Sequence, residues 1–421
     1  MRERKRGYTM PIFILVLALG TFAIGTEEYL VAGLLPSVAA DMHVSEEVAG
    51  QLVTVFALTY AIGSPLLVTA MAHIGRKRVL LISLVLFALA NLASTLAPSA
   101  SWLFGTRILA ALAAAIYTPT AMAASAQLVE EKLRGRAMSI ILAGSTGALV
   151  LGLPLGSWVG SLFGWRASFA MVALIGTLSA LLLCILLPNI QQHGSVVSWS
   201  ERLALLTKRH VWLALALTFI SLVGANSLLT YIRPVLDRVT TFDAALLSLV
   251  LFGIGAASLL GNLLGGYLAD RWGIGRTLIR VYALMILITL TISLLTLLHK
   301  SFALNIIAVV ILVVWSTVAW LGAPALNSYL AMLEPQSAPV VLSLNMTALY
   351  LGTAGAGALG GLVLALGGIE YLGATCSLAM LIALLLILSN TRLVNRNKGQ
   401  AREEVPSPVI QQKSAPAGEQ S

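Results

Sequence analysis

Long apolar runs separated by short polar segments recur along the whole chain, and this feature constrains the fold more than any other. Each run between residues 11 and 390 is close to the roughly 20 residues that cross a bilayer core as a helix. Hydrophobic residues make up 58% of the chain and charged residues only 10%, whereas a soluble domain has about 25% charged residues. The chain therefore cannot cover a water-facing surface, and it needs lipid as a second solvent.

The runs and the residues that break them predict twelve spans. The spans lie at about 10–35, 47–71, 79–97, 101–128, 136–160, 165–187, 210–232, 244–268, 277–298, 303–330, 339–366 and 369–391. We therefore predict an all-α membrane protein of twelve transmembrane helices in two six-helix halves. The expected divisions are an N-terminal half at 1–187, a cytoplasmic central loop at 188–209, a C-terminal half at 210–391 and a disordered cytoplasmic tail at 392–421.

The first run follows four basic residues, as the core of a signal peptide would. It is longer than such a core, it contains two glutamates, and no small-x-small cleavage site follows it. We predict that it is retained as the first span.

Basic residues are distributed unevenly between the two sides that the spans define. Of the 26 Lys and Arg residues, 21 lie on the side of the two termini and the central loop, and only Arg166, Arg238 and Lys300 lie in segments on the other side. By the positive-inside rule, we predict that both termini and residues 188–209 are cytoplasmic. The same asymmetry accounts for the net charge of +9 without a nucleic-acid partner.

The two halves also repeat each other's features, as expected of a transporter built from a duplicated six-helix unit. Gly75-Arg76-Lys77-Arg78 follows the second span, and residues 266–273 (GYLADRWG) follow the eighth. The fifth and eleventh spans are both rich in glycine.

These features resemble the major facilitator superfamily, and within it the twelve-span drug:proton antiporters. Gly266-x-x-x-Asp270-Arg271-x-Gly273 matches the superfamily's cytoplasmic loop signature, whereas the first-half loop keeps only Gly75-Arg76-Lys77. The resemblance implies a conformational latch made by Asp270, Arg271, Gly266, Gly273 and, on the degraded side, Arg76. A simple positive-inside anchor is the alternative.

Three further matches narrow the resemblance. Arg107 is similar to the membrane arginine of the fourth span, and Gly152-x-Pro154-x-Gly156 is similar to the fifth-span antiporter motif. Segment 26–36 (TEEYLVAGLLP) resembles the first span of bacterial sugar-, purine- and chloramphenicol-efflux permeases, whose glutamate aligns with Glu28. Plain helix packing is the alternative role for the fifth-span glycines.

Glu27 and Glu28 are the only acidic residues that the predicted spans place at hydrocarbon depth. A carboxylate costs several kcal/mol there as an ion unless it is paired, and desolvation favours its protonated form, so such a group can carry a proton. Adjacent helix positions lie about 100° apart, so both side chains cannot face one cavity. We expect Glu28 in the cavity and Glu27 at the periphery; the alternative is that both approach the outer interface.

Arg107 lies roughly 9 Å into its span, at a level similar to that of Glu28. We expect the two to interact, so that substrate binding that separates them triggers proton uptake; a static ion pair that orders the first half is the alternative. Polar or aromatic residues at span depth are candidate substrate contacts or packing residues. They are Tyr60, Tyr117, Asn226, Tyr231, Asn345 and Tyr350.

The resemblance favours export of a small molecule, such as a drug, sugar or nucleoside-like compound, by proton antiport with alternating access. Proton-coupled uptake of a metabolite on the same fold is the alternative, and a channel or membrane enzyme is a third. The chain lacks a Gly-x4-Gly-Lys-Ser/Thr motif and a His-Glu-x-x-His motif, which argues against an ATP-driven pump and against an enzyme. We expect a monomer in the bacterial inner membrane that handles substrate and protons, with no cofactor and no metal.

Overall fold

The computed structural model describes residues 11–71, 73–188 and 199–403. In this part of the chain the secondary structure is helical with no strand, and twelve helices are long and apolar enough to cross a membrane. They are α1 (Ile12–Asp41), α2 (Glu46–Ala70), α3 (Arg76–Thr95), α4 (Ala100–Leu128), α5 (Arg134–Phe163), α6 (Trp165–Leu186), α7 (Arg209–Thr230), α8 (Ala244–Trp272), α9 (Ile274–Thr296), α10 (Phe302–Leu333), α11 (Val340–Leu366) and α12 (Ile369–Asn390).

Local sequence signals set several helix boundaries. Asp243 caps α8 by accepting a hydrogen bond from the backbone N–H of Leu246 at 2.8 Å, which satisfies one of the unpaired donors at a helix start. Gly164 and Gly273 join α5 to α6 and α8 to α9 in single-residue turns with φ of +83° and +86°. Glycine is suited to this backbone conformation because it has no Cβ. These tight turns keep consecutive helices antiparallel.

The same set of helix contacts occurs in both groups of six helices. In the first half, α1 packs on α5 and α6, α2 packs on α4, and α3 packs on α4 and α6. In the second half, α7 packs on α11 and α12, α8 packs on α10, and α9 packs on α10 and α12. The predicted architecture of two repeated six-helix halves is therefore confirmed.

The two halves meet mainly through α2 with α11 and through α5 with α8. Gln51 Nε2 of α2 donates to the carbonyl oxygen of Gly357 in α11 at 3.2 Å. Gly357 lies about 26 Å along α11 from its start, at roughly 1.5 Å per residue. We call the end of the bundle that holds the α2–α3, α4–α5 and α8–α9 loops the basic end. The hydrogen bond between Gln51 and Gly357 thus lies toward the other end of the bundle, which we call the opposite end.

Several boundaries differ from those predicted. α7 ends at Thr230, and a separate short helix, Ile232–Val239, follows it and packs against α1. The central loop contains the helix Trp199–Leu206, whereas residues 189–198 lie outside the described part. The last helix continues to Glu403, beyond the predicted end at 391. The rest of the predicted tail, 404–421, is outside the described residues.

A small ionic cluster fixes the start of α7 at the basic end. Lys208 Nζ and His210 Nε2 each lie 2.8 Å from Glu334 Oε1, in the connection that follows α10. The hydrogen bond from Lys208 holds the pKa of the Glu334 carboxyl below its usual range, and His210 acts in the same direction. These contacts connect helices of the second half with each other.

Candidate functional site

Glu27 and Arg107 form an ion pair inside the first half. Only 1% of the Glu27 side chain and none of the Arg107 side chain is exposed. Arg107 Nη1 binds Glu27 Oε1 and also donates to the Glu27 carbonyl oxygen at 3.1 Å, and Nε donates to the Leu52 carbonyl oxygen at 3.5 Å. The guanidinium carbon lies 4.5 Å from the centre of the Phe56 ring. Arg107 therefore connects α4 to α1 and to α2.

This pairing corrects the sequence prediction. Glu27 was expected at the periphery and Glu28 beside Arg107, but the partner of Arg107 is Glu27. The two glutamate side chains diverge by about 100° around α1, as helix geometry requires. Which of them meets the arginine depends on how α2 and α4 pack against α1, and periodicity does not contain that information.

Glu28 lies at the boundary between the halves and is half-buried. Tyr350 Oη of α11 donates to Glu28 Oε2 at 3.3 Å. The Tyr350 ring also stacks on the ring of Tyr60 in α2, with centroids 3.6 Å apart and planes inclined by 19°. We call this cluster of Glu28, Tyr60 and Tyr350 the tyrosine bridge. It connects one helix of the second half to two helices of the first.

The fifth-span motif supports the segment of α1 that carries the two glutamates. Gly152 lies directly against Thr26, and Gly156 lies against Leu30 one turn further along. Residues Ala148–Gly152 form a π-helical turn just before Pro154. Such turns often occur at functional sites, and the missing side chains allow close helix approach. The predicted role of this motif in antiport remains a prediction.

Another predicted substrate contact, Asn226, lies between two helices of the second half. Asn226 of α7 is half-buried, and its Nδ2 donates to Thr353 Oγ1 of α11 at 2.8 Å. The sequence alone does not identify Thr353 or Gln51 as candidate site residues. In the sequence each is only a polar side chain within an apolar run, and many packing residues have the same pattern.

Three predicted substrate contacts are instead buried and bonded within the protein. Tyr117 Oη donates to the Leu17 carbonyl oxygen at 3.1 Å, and Tyr231 Oη donates to the Gly357 carbonyl oxygen at 2.9 Å. Asn345 hydrogen-bonds Thr218 and Asn327 inside the second half. Their aromatic or amide character suggested a pocket, but in this conformation these groups satisfy polar atoms inside the protein.

Asp270 and Arg271 of the predicted latch form no hydrogen bond or ion pair with Arg76 in the described part of the chain. Asp270 and Arg271 are exposed at the basic end; Arg271 Nη1 lies 3.4 Å from Tyr267 Oη, and Asp270 bonds to no other described residue. Arg76 Nη1 donates to the Ala123 carbonyl oxygen at 2.6 Å, and Gly273 forms the turn after α8. A side chain added at Gly266 would meet no neighbouring atom. A latch that closes in another conformation stays a prediction.

The sequence of the chain matches a known protein family over most of its length. The sequence profile of the Major Facilitator Superfamily matches residues 17–354 of the chain. The chain belongs to this superfamily. The matched range contains both glutamates, Arg107, the fifth-span motif and Tyr350.

Individual superfamily members align over most of the chain. The MFS-type transporter YbcL of Bacillus subtilis is 33% identical over 90% of this chain and 96% of its own length. The inner membrane transport protein YdhP of Escherichia coli is 31% identical over the same shares. A chloramphenicol resistance protein of Streptomyces lividans is 34% identical over 62% of this chain and 68% of its own length.

Solved structures agree on the fold. A bacterial homologue of the human lysosomal transporter Spinster, in an inward-facing and unoccupied conformation, superposes with a TM-score of 0.70. It is 19% identical and covers 90% of this chain and 97% of its own. The chain is therefore a multi-pass membrane protein with the major facilitator fold, and its family transports small molecules.

Proposed function

We propose that the protein exports a small molecule across the inner membrane in exchange for protons. The observation that carries this proposal is that two adjacent carboxyl groups have different partners. Glu27 is neutralised by Arg107 inside the first half, whereas Glu28 has a tyrosine hydroxyl rather than a cation as its partner at the boundary of the halves.

This environment suits Glu28 to reversible proton binding. An ionised carboxylate without a cation is costly at hydrocarbon depth, so either a proton or a substrate with a hydrogen-bond donor lowers that cost. A proton and a substrate can therefore use Glu28 in turn as the halves rock around it. Arg107 acts on Glu28 through its charge, while its hydrogen bonds go to Glu27 and to backbone carbonyl groups.

The direction of transport and the orientation are part of the proposal. The chloramphenicol resistance relative and the likeness of segment 26–36 to efflux permeases support export of a drug, sugar or nucleoside-like compound. The positive-inside rule assigns the basic end to the cytoplasm, and the name of the Escherichia coli relative supports the inner membrane. The contacts between α2 and α11 near the opposite end then correspond to a carrier that faces the cytoplasm.

We predict that Glu28→Gln abolishes gradient-driven transport, because glutamine keeps the shape of the side chain but cannot ionise. Purified protein in liposomes with an imposed pH gradient would be assayed for active transport and for substrate counterflow across drug, sugar and nucleoside classes. Exchange does not require net proton movement, so the counterflow assay reports substrate binding separately from proton coupling. The matched control is Glu130→Gln, the same change at an exposed residue of the basic end. Gradient-driven transport by Glu28→Gln at the wild-type rate would refute the assignment.

A further inference from the structure

The tyrosine bridge joins the group that we propose as the proton carrier to the contact between the two halves. We propose that Tyr350 is a positioning residue whose hydrogen bond to ionised Glu28 keeps α2 and α11 in contact at the opposite end. As a result, the empty, deprotonated carrier does not change conformation. This inference rests on the proposed function of Glu28. It goes beyond that function because it names how its charge state affects the arrangement of the halves.

The position of Tyr350 on α11 is the first support. Gly357, which accepts hydrogen bonds from Gln51 and Tyr231, lies seven residues further along, about two helical turns away and on the same face. Tyr350 therefore extends the α2–α11 contact to the middle of the bundle, where its ring stacks on Tyr60. If α2 and α11 separate at the opposite end, Tyr350 has to leave both Tyr60 and Glu28.

The charges around Glu28 are the second support. The charged and titratable groups that face it are Glu27 and Tyr29 of α1, Tyr60 of α2, Arg107 of α4 and Tyr350 of α11. Arg107 is the cation in this set, and it is hydrogen-bonded to Glu27. The hydrogen bond from Tyr350 is therefore the interaction across the halves that responds most directly to the protonation of Glu28. A bond to an ionised acceptor is roughly twice as strong as one between neutral groups.

The transport cycle follows from this difference. Ionised Glu28 accepts a charge-assisted bond from Tyr350 and keeps the opposite end closed. A substrate that donates to Glu28 displaces Tyr350 and permits the change, and a proton on Glu28 weakens the bond and permits it as well. The empty, deprotonated carrier has neither, so its conformational change is slow. This prevents protons from crossing without substrate.

The first test measures proton leak. Tyr350→Phe keeps the ring that stacks on Tyr60 but removes the donor to Glu28. In liposomes with an imposed pH gradient and no substrate, we expect about tenfold faster proton flux than in the wild type, the order by which a hydrogen bond to a charged group biases an equilibrium. Substrate counterflow, measured in the same liposomes, checks that the variant is folded and inserted. The control is Tyr117→Phe, which removes a hydroxyl whose bond lies within the first half, and it should leave the leak at the wild-type level.

The second test measures the halves directly and does not require transport. Val48 of α2 and Leu362 of α11 are both exposed and both lie near the opposite end of the bundle. Spin labels at these two positions, in a cysteine-free background, would report the distance between α2 and α11 there. We expect the short-distance population to decrease as the pH is lowered in the wild type. In Tyr350→Phe and in Glu28→Gln, the distances should not depend on pH.

The outcomes separate this inference from the proposed function. Wild-type transport that ignores an imposed pH gradient would contradict proton antiport itself. The role of Tyr350 alone would be overturned by a different result. In that case the wild type couples transport to protons, but Tyr350→Phe leaks protons no faster than the wild type and its label distance still depends on pH.

Discussion

At the scale of single residues, the buried ion pair of Glu27 and Arg107 has a large energetic consequence. Glu27 and Arg107 are both taken out of water, and each offsets the desolvation cost of the other. Removing one member of such a pair leaves an uncompensated buried charge, which costs about 3–5 kcal/mol, whereas removing both charges can be nearly neutral. The pair therefore stabilises the arrangement of α1, α2 and α4 that positions Glu28 next to it.

We predict that Glu27→Gln and Arg107→Gln each lower the stability of the protein by about 3–5 kcal/mol. The double variant should lose clearly less than the sum of the two, because no charge is then left without a partner. Thermal unfolding in detergent, followed by tryptophan fluorescence, would give the three values. Additive losses would show that the two side chains are not energetically coupled.

At the scale of helices, glycines allow α2 and α11 to contact each other closely. The Tyr231 ring, at the end of α7, lies against Gly50 of α2 and Gly360 of α11. Its hydroxyl donates to the Gly357 carbonyl oxygen at 2.9 Å. A Cβ atom at Gly50 would overlap the tyrosine ring. The contact at the opposite end thus depends on the absence of a side chain at these positions.

We predict that Gly50→Ala weakens closure of the opposite end, because the buried Tyr231 ring has to shift to admit the methyl group. Overpacking of this kind costs about 1–3 kcal/mol, which corresponds to a change of about 5-fold to 150-fold in the equilibrium constant for closure. Distances between labels at Val48 and Leu362 would measure the shift. Gly105→Ala is the control, since a Cβ there meets no atom within 4 Å, and its distances should match those of the wild type.

At the scale of the whole molecule, the repeated packing places one half against the other through two equivalent helix pairs. Helix α2 of the first half corresponds to α8 of the second, and α5 corresponds to α11. The contact between α2 and α11 is therefore equivalent to the contact between α8 and α5. Such an arrangement can rock about a central site without changing the packing within either half. Which end opens to which compartment depends on the orientation in the membrane, and the basic residues predict that orientation.

We predict that both the central loop and the C terminus are cytoplasmic, because 21 of the 26 Lys and Arg residues lie on that side. Reporter fusions at residue 200 and at the C terminus should both be active as cytoplasmic reporters and inactive as periplasmic ones. A fusion after Ala97, in the α3–α4 connection, should give the reverse. Periplasmic activity at either of the first two sites would contradict the orientation.

The sequence alone determined the twelve helices, their division into two repeated halves and the pair of adjacent glutamates in α1. These properties follow from hydropathy, chain length and the period of a helix, which are local along the chain. Only the tertiary structure decided that Arg107 pairs with Glu27, that Tyr350 reaches Glu28 from the other half, and that Tyr117, Tyr231 and Asn345 are buried within the protein. The contacts of Arg107 with Glu27 and of Tyr350 with Glu28 join residues 80 and 322 positions apart. They depend on which helix faces lie against one another, and no single segment of the sequence contains that information.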